Sequence, residues 1–341
     1  MGRVYKFYTE QSLHKFLGNL LNKQRKRTTE VLDLRASDIT SLTPKITKLI
    51  NLQVLNLQDT KIQALPAQIS DLIKLRELNL QGTGIDQFPM EILTLSNLEV
   101  LDLSNTHIDA IPTEIAKLTH LKSLNLGNTK IKALPPEIGQ LAQLEHLSLS
   151  GATFNLLPPE VLSLSELKFL DLSHSKLISL QGSIASLTNL KKLSLATTKI
   201  TQLPKEITQL NNLEEIDLSG SSITFLPPEI GKMKNLRRLN LSLTNFKNVP
   251  QEIKDHPLLK IVKEDLRVLV DAEDKSGWVT LYESGAAESR IKRVNKNVVP
   301  NGISVPLDVY IETENPEEIE QVRYATALFF LELGFEIEQS P

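Results

Sequence analysis

Residues 32–56 read LDLRASDITSLTPKITKLINLQVLN, and this stretch recurs along the chain with a period of 23 residues. Each copy opens with an apolar-x-Leu triplet, and the copies follow one another without insertion. The triplets begin at Leu32, Leu55, Leu78, Leu101, Leu124, Leu147, Leu170, Leu193, Ile216 and Leu239. A constant period of this length indicates one small structural unit repeated side by side.

Within a unit, two leucines stand two residues apart, as at Leu124 and Leu126. In a strand they point to the same side, whereas Asn125 between them points to the other. The later apolar residues, such as Ile138 and Leu141, are too widely spaced for a strand and must return the chain along the outside. One unit cannot enclose these side chains alone, so we expect each unit to bury them against its neighbours.

One complete unit, residues 121–141, reads LKSLNLGNTKIKALPPEIGQL. Its leucine spacing, its Leu134-Pro135 pair and Ile138 resemble the leucine-rich repeat (LRR) family. The likeness is to the 23-residue LPxxI subclass, which is similar to Ras-group, scaffold and bacterial LRR proteins. The resemblance implies an α/β solenoid, a horseshoe of about ten parallel-strand repeats, which we expect to occupy residues 30–256.

The N-terminal segment, residues 1–29, is predicted to cap the solenoid. Its apolar residues lie on one face of a helix, with Thr9 as the N-cap and the helix beginning at about Glu10. These apolar residues are Leu13, Phe16, Leu17, Leu20 and Leu21. The basic run 23–27 follows, either as a solvated helix end or as a contact for an anionic surface.

Residues 257–341 lack the 23-residue period and are predicted to form a C-terminal cap followed by a small α+β module. We expect a helix over 258–270 that closes the core. Strands are predicted at 278–282, 291–299, 305–311 and 335–338, with a helix from Asn315 to Gly334. Whether the natural chain continues past Pro341 stays open.

Two other positions of the repeat predict its turns. The position five residues after the first strand leucine holds a hydroxyl residue or alanine, as at Thr60, Thr129 and Ala152, where the family typically has asparagine. A hydroxyl can donate to one carbonyl and accept from an amide, so we expect it to link successive turns, except at Ala152. The proline position, as at Pro66, favours short 3₁₀ or extended segments. Gln181 replaces this proline, and we expect an irregular, more mobile turn there.

Composition argues against several classes of function. The 341 residues carry a net charge of -3, which disfavours nucleic-acid binding. The chain contains no cysteine and no signal-like apolar run near its start, which favours the reducing cytoplasm. No apolar stretch approaches the ~20 residues that a membrane-spanning helix requires, so we expect no transmembrane segment.

The sequence offers no catalytic set. There is no thiolate nucleophile, and the phosphate-loop, GxSxG and HExxH patterns are absent. A metal site needs ligands that converge at about 2 Å from one ion, and the histidines occupy different positions of the repeat. His146 and His174 come closest to meeting this requirement, in neighbouring repeats but at different positions. We therefore expect no enzymatic activity, no cofactor and no metal.

Binding is the stronger interpretation, because strands stacked ~4.8 Å apart display alternate residues on one continuous face. Phe169 is the only aromatic residue at the first exposed position of the strands, and aromatic and Arg residues are frequent binding hot spots. The alternative is that Phe169 and the exposed valines have no binding role and are present only because such residues favour strands. We predict an intracellular interaction or scaffold protein that binds a protein or peptide on its concave face. The predicted binding residues are His146, Phe169, Asp171, His174, Lys192, Glu215, Asp217 and Arg238.

A second hypothesis makes the solenoid the sensor arm of a larger bacterial effector or of a defence or signalling protein. Its active domain is then residues 258–341 or lies beyond this chain. Residues 305–338 faintly resemble accessory modules of bacterial multidomain defence proteins. A third hypothesis, association with an anionic surface through residues 23–27, predicts a steep salt dependence.

Overall fold

The computed structural model describes residues 3–18, 28–263, 266–269, 278–283 and 294–295. The chain forms two compact units, Met1–Val262 and Lys263–Pro341. The basic run 23–27, Leu20 and Leu21 lie outside the described residues. So do the strands predicted at 305–311 and 335–338 and the helix predicted from Asn315.

The first unit contains one parallel sheet whose twelve strands follow one another in chain order. Strands β2 to β11 come from the ten repeats, and each pairs with the next in a register of one repeat, as at Leu124↔Leu147. The predicted solenoid is therefore confirmed. The strands are β1 (Arg3–Lys6), β2 (Thr29–Asp33), β3 (Val54–Asn56), β4 (Glu77–Asn79), β5 (Val100–Asp102), β6 (Ser123–Asn125), β7 (His146–Ser148), β8 (Phe169–Asp171), β9 (Lys192–Ser194), β10 (Glu215–Asp217), β11 (Arg238–Asn240) and β12 (Lys260–Val262).

Short 3₁₀ helices return the chain on the outer side of the coils, as the proline position predicted. In the coil that begins at Pro66, the amides of Ile69 and Leu72 donate to the carbonyls three residues earlier. This bonding places apolar residues three apart on one inward-facing line. The helices are Pro44–Lys48, Ala67–Asp71, Met90–Thr94, Thr113–Lys117, Pro136–Gln140, Pro159–Ser163, Gly182–Ser186, Lys205–Gln209 and Pro228–Lys232.

The coil at Gln181 has the same outer turn as the others, not the irregular one that the sequence predicted. Gln181 adopts φ −79° and ψ 153°, close to the φ −68° and ψ 146° of Pro204 in the next coil. The 3₁₀ helix Gly182–Ser186 follows it directly. Neighbouring coils therefore fix this backbone without proline, and the predicted mobility stays a prediction.

The core is a continuous stack of leucine and isoleucine side chains between the sheet and the 3₁₀ helices. In the coil that begins at Leu121, the two strand leucines and the outer residues Ile138 and Leu141 are all at most 3% exposed. The same positions are buried in the other repeats. We name this stack the buried spine.

The hydroxyl position bonds within its own coil, and the prediction that it links successive turns is wrong. Thr60 Oγ1 donates to the carbonyl of Leu57 at 2.7 Å, and Thr129 Oγ1 to that of Leu126 at 2.8 Å. The side chain is too short to reach the next coil. Asparagines at another position make the side-chain link between coils, as Asn189 Nδ2 does to the Ser165 carbonyl at 2.9 Å.

The N-terminal end of the spine is covered by α1 (Glu10–Gly18), which confirms the predicted capping helix. Its Leu13, Phe16 and Leu17 are buried. The Ser12 amide donates to Thr9 Oγ1, the predicted N-cap, at 3.2 Å. Strand β1 precedes the helix and adds one parallel strand beside β2, although it lacks the repeat pattern and was not predicted.

The C-terminal end departs from the prediction. The helix expected over 258–270 is absent from the described part of that range, which contains β12 and the strand Leu266–Leu269. A short helix, α2 (Gln251–Lys254), comes earlier and ends beside the buried His256. His256 Nε2 donates to the Met233 carbonyl at 2.8 Å, and its Nδ1 accepts from the Leu258 amide at 3.2 Å.

The second unit contains an antiparallel sheet of three strands: β13 (Leu266–Leu269), β14 (Trp278–Glu283) and β15 (Val294–Asn295). The central strand, β14, pairs with both others. Strand β14 matches the strand predicted over 278–282, and β15 lies inside the one predicted over 291–299.

Candidate protein-binding face of the sheet

The first exposed residue of each repeat strand aligns with its counterpart one coil away, and we name this line the first row. The pairing of β7 with β8 and of β8 with β9 places His146, Phe169 and Lys192 side by side. The row reads Val31, Val54, Glu77, Val100, Ser123, His146, Phe169, Lys192, Glu215 and Arg238. Small or aliphatic residues fill much of its first half, whereas aromatic and charged residues fill its second.

Five consecutive residues of the first row interlock. The rings of His146 and Phe169 stack with centroids 4.2 Å apart and an angle of 9° between their planes. Lys192 Nζ lies 5.7 Å from the centroid of the Phe169 ring, within cation–π range, and 3.1 Å from Glu215 Oε2. Arg238 Nε lies 3.3 Å from Glu215 Oε1. Only the strict register of the strands brings these five side chains into one line.

We name the residue two positions after each first-row residue the middle row. Where this residue is Asp or Asn, its side chain has a structural role. Asp171 Oδ1 accepts from the Ser173 amide at 2.9 Å, and Asn125 Oδ1 accepts from the Gly127 amide at 3.0 Å. Asp171 Oδ2 also accepts from Ser148 Oγ at 3.0 Å. One oxygen of each such side chain thus stabilises the turn that follows the strand.

A depression of about 420 Å³ lies over strands β6 to β10. Six of the eight predicted binding residues line it: His146, Phe169, Asp171, Lys192, Glu215 and Asp217. Four spine leucines also line it, together with four polar residues that were not predicted from the sequence: Ser123, Asn125, Ser148 and Ser194. Their positions in the repeat were the available signal, because each occupies the same row as a selected residue.

The other two predicted residues, His174 and Arg238, do not line the depression. Arg238 forms an ion pair with Glu215, which lines the depression. His174 lies in the turn after β8, at a position that has a positive φ in every repeat, 57° in this one. Glycine adopts this backbone conformation at Gly82, Gly151 and Gly220, and the repeat pattern did not predict it.

Both histidines near the depression favour the neutral state. Loss of solvation lowers the pKa of His146, and Glu145 partly opposes this shift. Loss of solvation likewise lowers the pKa of His174, against the attraction of Asp171 and Asp217. At neutral pH the ring of His146 therefore packs on Phe169 as an uncharged, planar group.

Among the described residues, no group of three or more His, Cys, Asp or Glu side chains is placed to hold a metal ion. No helix in the same part of the chain combines the length and the apolar character needed to cross a bilayer. The features of the exposed face that the structure does offer are the stacked rings, the charged row and the depression.

Family models place the chain among known proteins. The model of a leucine-rich repeat region matches residues 67–125, 113–192 and 173–264, and that of a leucine rich repeat matches residues 27–85. The chain belongs to the leucine-rich repeat family. No curated protein matches the sequence of this LRR protein significantly.

Solved structures agree with this assignment. An LRR protein of Leptospira interrogans is 34% identical with a TM-score of 0.65, and the match covers 70% of this chain and 62% of that protein. A TDR receptor is 25% identical with a TM-score of 0.58 over 68% of this chain. The plant peptide hormone receptor RGFR1, solved in complex with RGF2, is 25% identical with a TM-score of 0.56 over 69%. This LRR protein spans only 42% and 43% of the two receptors.

Proposed function

We propose that this LRR protein binds a protein or peptide partner on the exposed face of its sheet, with the depression over β6 to β10 as the centre of contact. The LRR fold supports protein–protein interaction in general, and RGFR1 is solved with RGF2 bound. The observation that carries the proposal is the interlocked row from His146 to Arg238, because it presents aromatic and Arg side chains at one place. We further propose that this binding takes place in the cytoplasm, which the cysteine-free sequence supports.

Phe169 is the residue that tests this proposal. Its strand neighbour Leu170 is buried in the spine, whereas Phe169 itself is half-buried and reaches the depression. Phe169→Ala removes the aromatic surface and leaves the spine intact. Phe225→Ala is the matched control, because Phe225 is 53% exposed and does not line the depression.

The experiment uses the full chain as bait for partners in an extract of the source cells. We expect one specific partner to be retained by the wild type and by Phe225→Ala and lost with Phe169→Ala. The three baits are also compared by thermal unfolding, so that lost binding is separated from lost folding. A partner that survives Phe169→Ala but not Phe225→Ala would move the binding site away from the depression.

A second candidate function is the sensor arm of a larger effector or signalling protein. It is favoured by the separate antiparallel sheet β13–β14–β15 in the second unit, which shares no strand with the parallel sheet. A chain ending at Val262 provides the test. Partners or activities that require residues 263–341 would support this candidate, whereas an unchanged set of partners would argue against it.

A further inference from the structure

Ser194 occupies a gap in the middle row. It pairs with Asp171 of β8 on one side and with Asp217 of β10 on the other, so a carboxylate stands one coil away in each direction. Since neighbouring strands lie about 4.8 Å apart, the two carboxylates flank a small side chain at a separation of roughly 10 Å. All three residues line the depression.

The two carboxylates differ from Asp33, an aspartate of the same row near the N-terminal end. Asp33 is paired with Arg35 at 2.9 Å and with Lys6 at 3.2 Å. Neither Asp171 nor Asp217 forms an ion pair within 4.0 Å among the described residues. The nearby Lys192 is engaged by Glu215 at 3.1 Å. His174, which both carboxylates attract, is neutral at pH 7 because loss of solvation lowers its pKa. The middle row here therefore carries two negative charges that no described lysine or arginine pairs.

The spacing of these charges favours an organic cation over a metal ion. One metal needs several ligands at about 2 Å, and carboxylates roughly 10 Å apart cannot share it. A basic side chain above Ser194 lies about 5 Å from both carboxylates, close enough for strong attraction in a partly desolvated place. The long aliphatic stem of lysine or arginine can pack on an apolar surface while its charged end reaches polar groups.

An apolar surface of this kind lies one coil away. Phe169 stands beside Asp171 in the same strand and carries His146 stacked on its ring. A peptide that crosses the strands can therefore contact the stacked rings and the gap at Ser194 together. His146 is neutral at ordinary pH because of its lowered pKa, so it adds no positive charge against a basic partner.

We propose that the occupant of the depression is an extended peptide segment that places one arginine or lysine over Ser194, between Asp171 and Asp217. A neighbouring apolar side chain of the same segment packs on the His146–Phe169 stack. This inference rests on the proposed function. It adds that the partner carries a positively charged side chain next to an apolar one.

The structure supplies conservative variants for the test. Asparagine occupies the middle row at Asn125 and Asn240, where its Oδ1 accepts the same turn amide that an aspartate accepts. Asp171→Asn and Asp217→Asn therefore remove a charge and preserve the turn. Asp102→Asn makes the same change outside the depression, where Asp102 Oδ1 accepts from the Ser104 amide at 2.9 Å, and it serves as the control.

The probe is an array of extended hexapeptides in which the two central positions run through every pair of amino acids, incubated with the full chain. We expect the bound peptides to combine arginine or lysine with an apolar neighbour. Replacing arginine by citrulline, its neutral analogue, should weaken binding about tenfold, as should Asp217→Asn, because each change removes the attraction between the cation and a carboxylate. Asp102→Asn should leave binding unchanged.

Three results overturn this inference: no basic peptide binds, citrulline peptides bind equally well, or the Asp171→Asn, Asp217→Asn double variant keeps its affinity. Phe169→Ala separates the two proposals. If peptides bind irrespective of charge and Phe169→Ala abolishes that binding, the proposed function stands and the cation inference fails. If Phe169→Ala has no effect on any bound peptide, the proposed function itself fails.

Discussion

Phe169 and Leu170 are adjacent in one strand, yet Leu170 belongs to the buried spine and Phe169 to the exposed first row. Leu170 is 1% exposed and has an apolar counterpart in every other repeat of the buried spine. Phe169 points to the opposite side and has valine, glutamate, serine, histidine, lysine or arginine as counterparts in other coils. The spine repeats because each coil must pack on the next. Side chains of the first row do not pack in the buried spine, so their identity can change from coil to coil. Residues that differ there are therefore candidates for binding.

The largest effect on stability is expected from removing a side chain of the buried spine. Leu170→Ala should reduce the free energy of unfolding by about 2–5 kcal/mol, since it leaves a cavity between two coils. Phe169→Ala should reduce it by about 1 kcal/mol or less, because the contacts of its ring with His146 and Lys192 lie on the half-exposed face of the sheet. Urea titrations of both variants measure the difference. Equal losses would mean that Phe169 serves stability, and the contrast between the two regions would disappear.

A smaller effect is expected at the N-terminal end of the spine, where Glu10 fastens α1 to the first coil. Its carboxylate accepts from the Thr40 amide at 3.2 Å, from Thr40 Oγ1 at 3.0 Å and from Ser41 Oγ at 3.1 Å. These bonds, the Thr40 amide first, hold the pKa of Glu10 below its ordinary value of 4.5. The stabilisation is therefore complete above pH 4.5 and is lost as the pH falls through the lowered pKa.

Glu10→Gln should lower stability at pH 7 by about 1 kcal/mol or less, because the carboxylate is partly exposed. The stability of this variant should also fall less than that of the wild type as the pH is lowered below 4.5. Thermal unfolding across pH 3 to 7 measures both changes, with the exposed Glu166→Gln as the control. An acid profile identical to that of the wild type would show that this contact does not hold the cap.

The smallest effect is expected from the ion pairs that link coils at the edge of the sheet. Glu99 bridges Arg76 at 2.9 Å and Lys122 at 2.7 Å, and Lys122 is the main cause of the lowered pKa of Glu99. Glutamine already occupies this position of the repeat at Gln53. Glu99→Gln should lower stability by less than about 1 kcal/mol, because exposed pairs contribute little.

This small difference should vanish in high salt, since screening weakens exposed charges. Urea midpoints of wild type and Glu99→Gln in low and high salt provide the measurement. A loss that persists in high salt would indicate that Glu99 packs as part of the spine instead of acting through its charge.

The parts predicted correctly from the sequence are those that one repeat encodes locally. Alternating residues such as Leu124, Asn125 and Leu126 predicted the strands and their two faces, and the proline position predicted the 3₁₀ segments. The hydroxyl position was misinterpreted, because the reach of Thr60 to the next coil depends on a distance that the pattern does not contain. The ends were also predicted incompletely: β1 and β12 lack the repeat signature and are strands because a neighbouring edge pairs with them.

The sequence by itself determined the parallel solenoid, because a strict 23-residue period of apolar side chains has no other way to be buried. It also determined which residues share a row. Only the tertiary structure decided what those rows do: it stacked His146 on Phe169, paired Lys192 with Glu215, and left Asp171 and Asp217 on either side of Ser194. These contacts join residues one full coil apart, so they exist only once the register between strands is set.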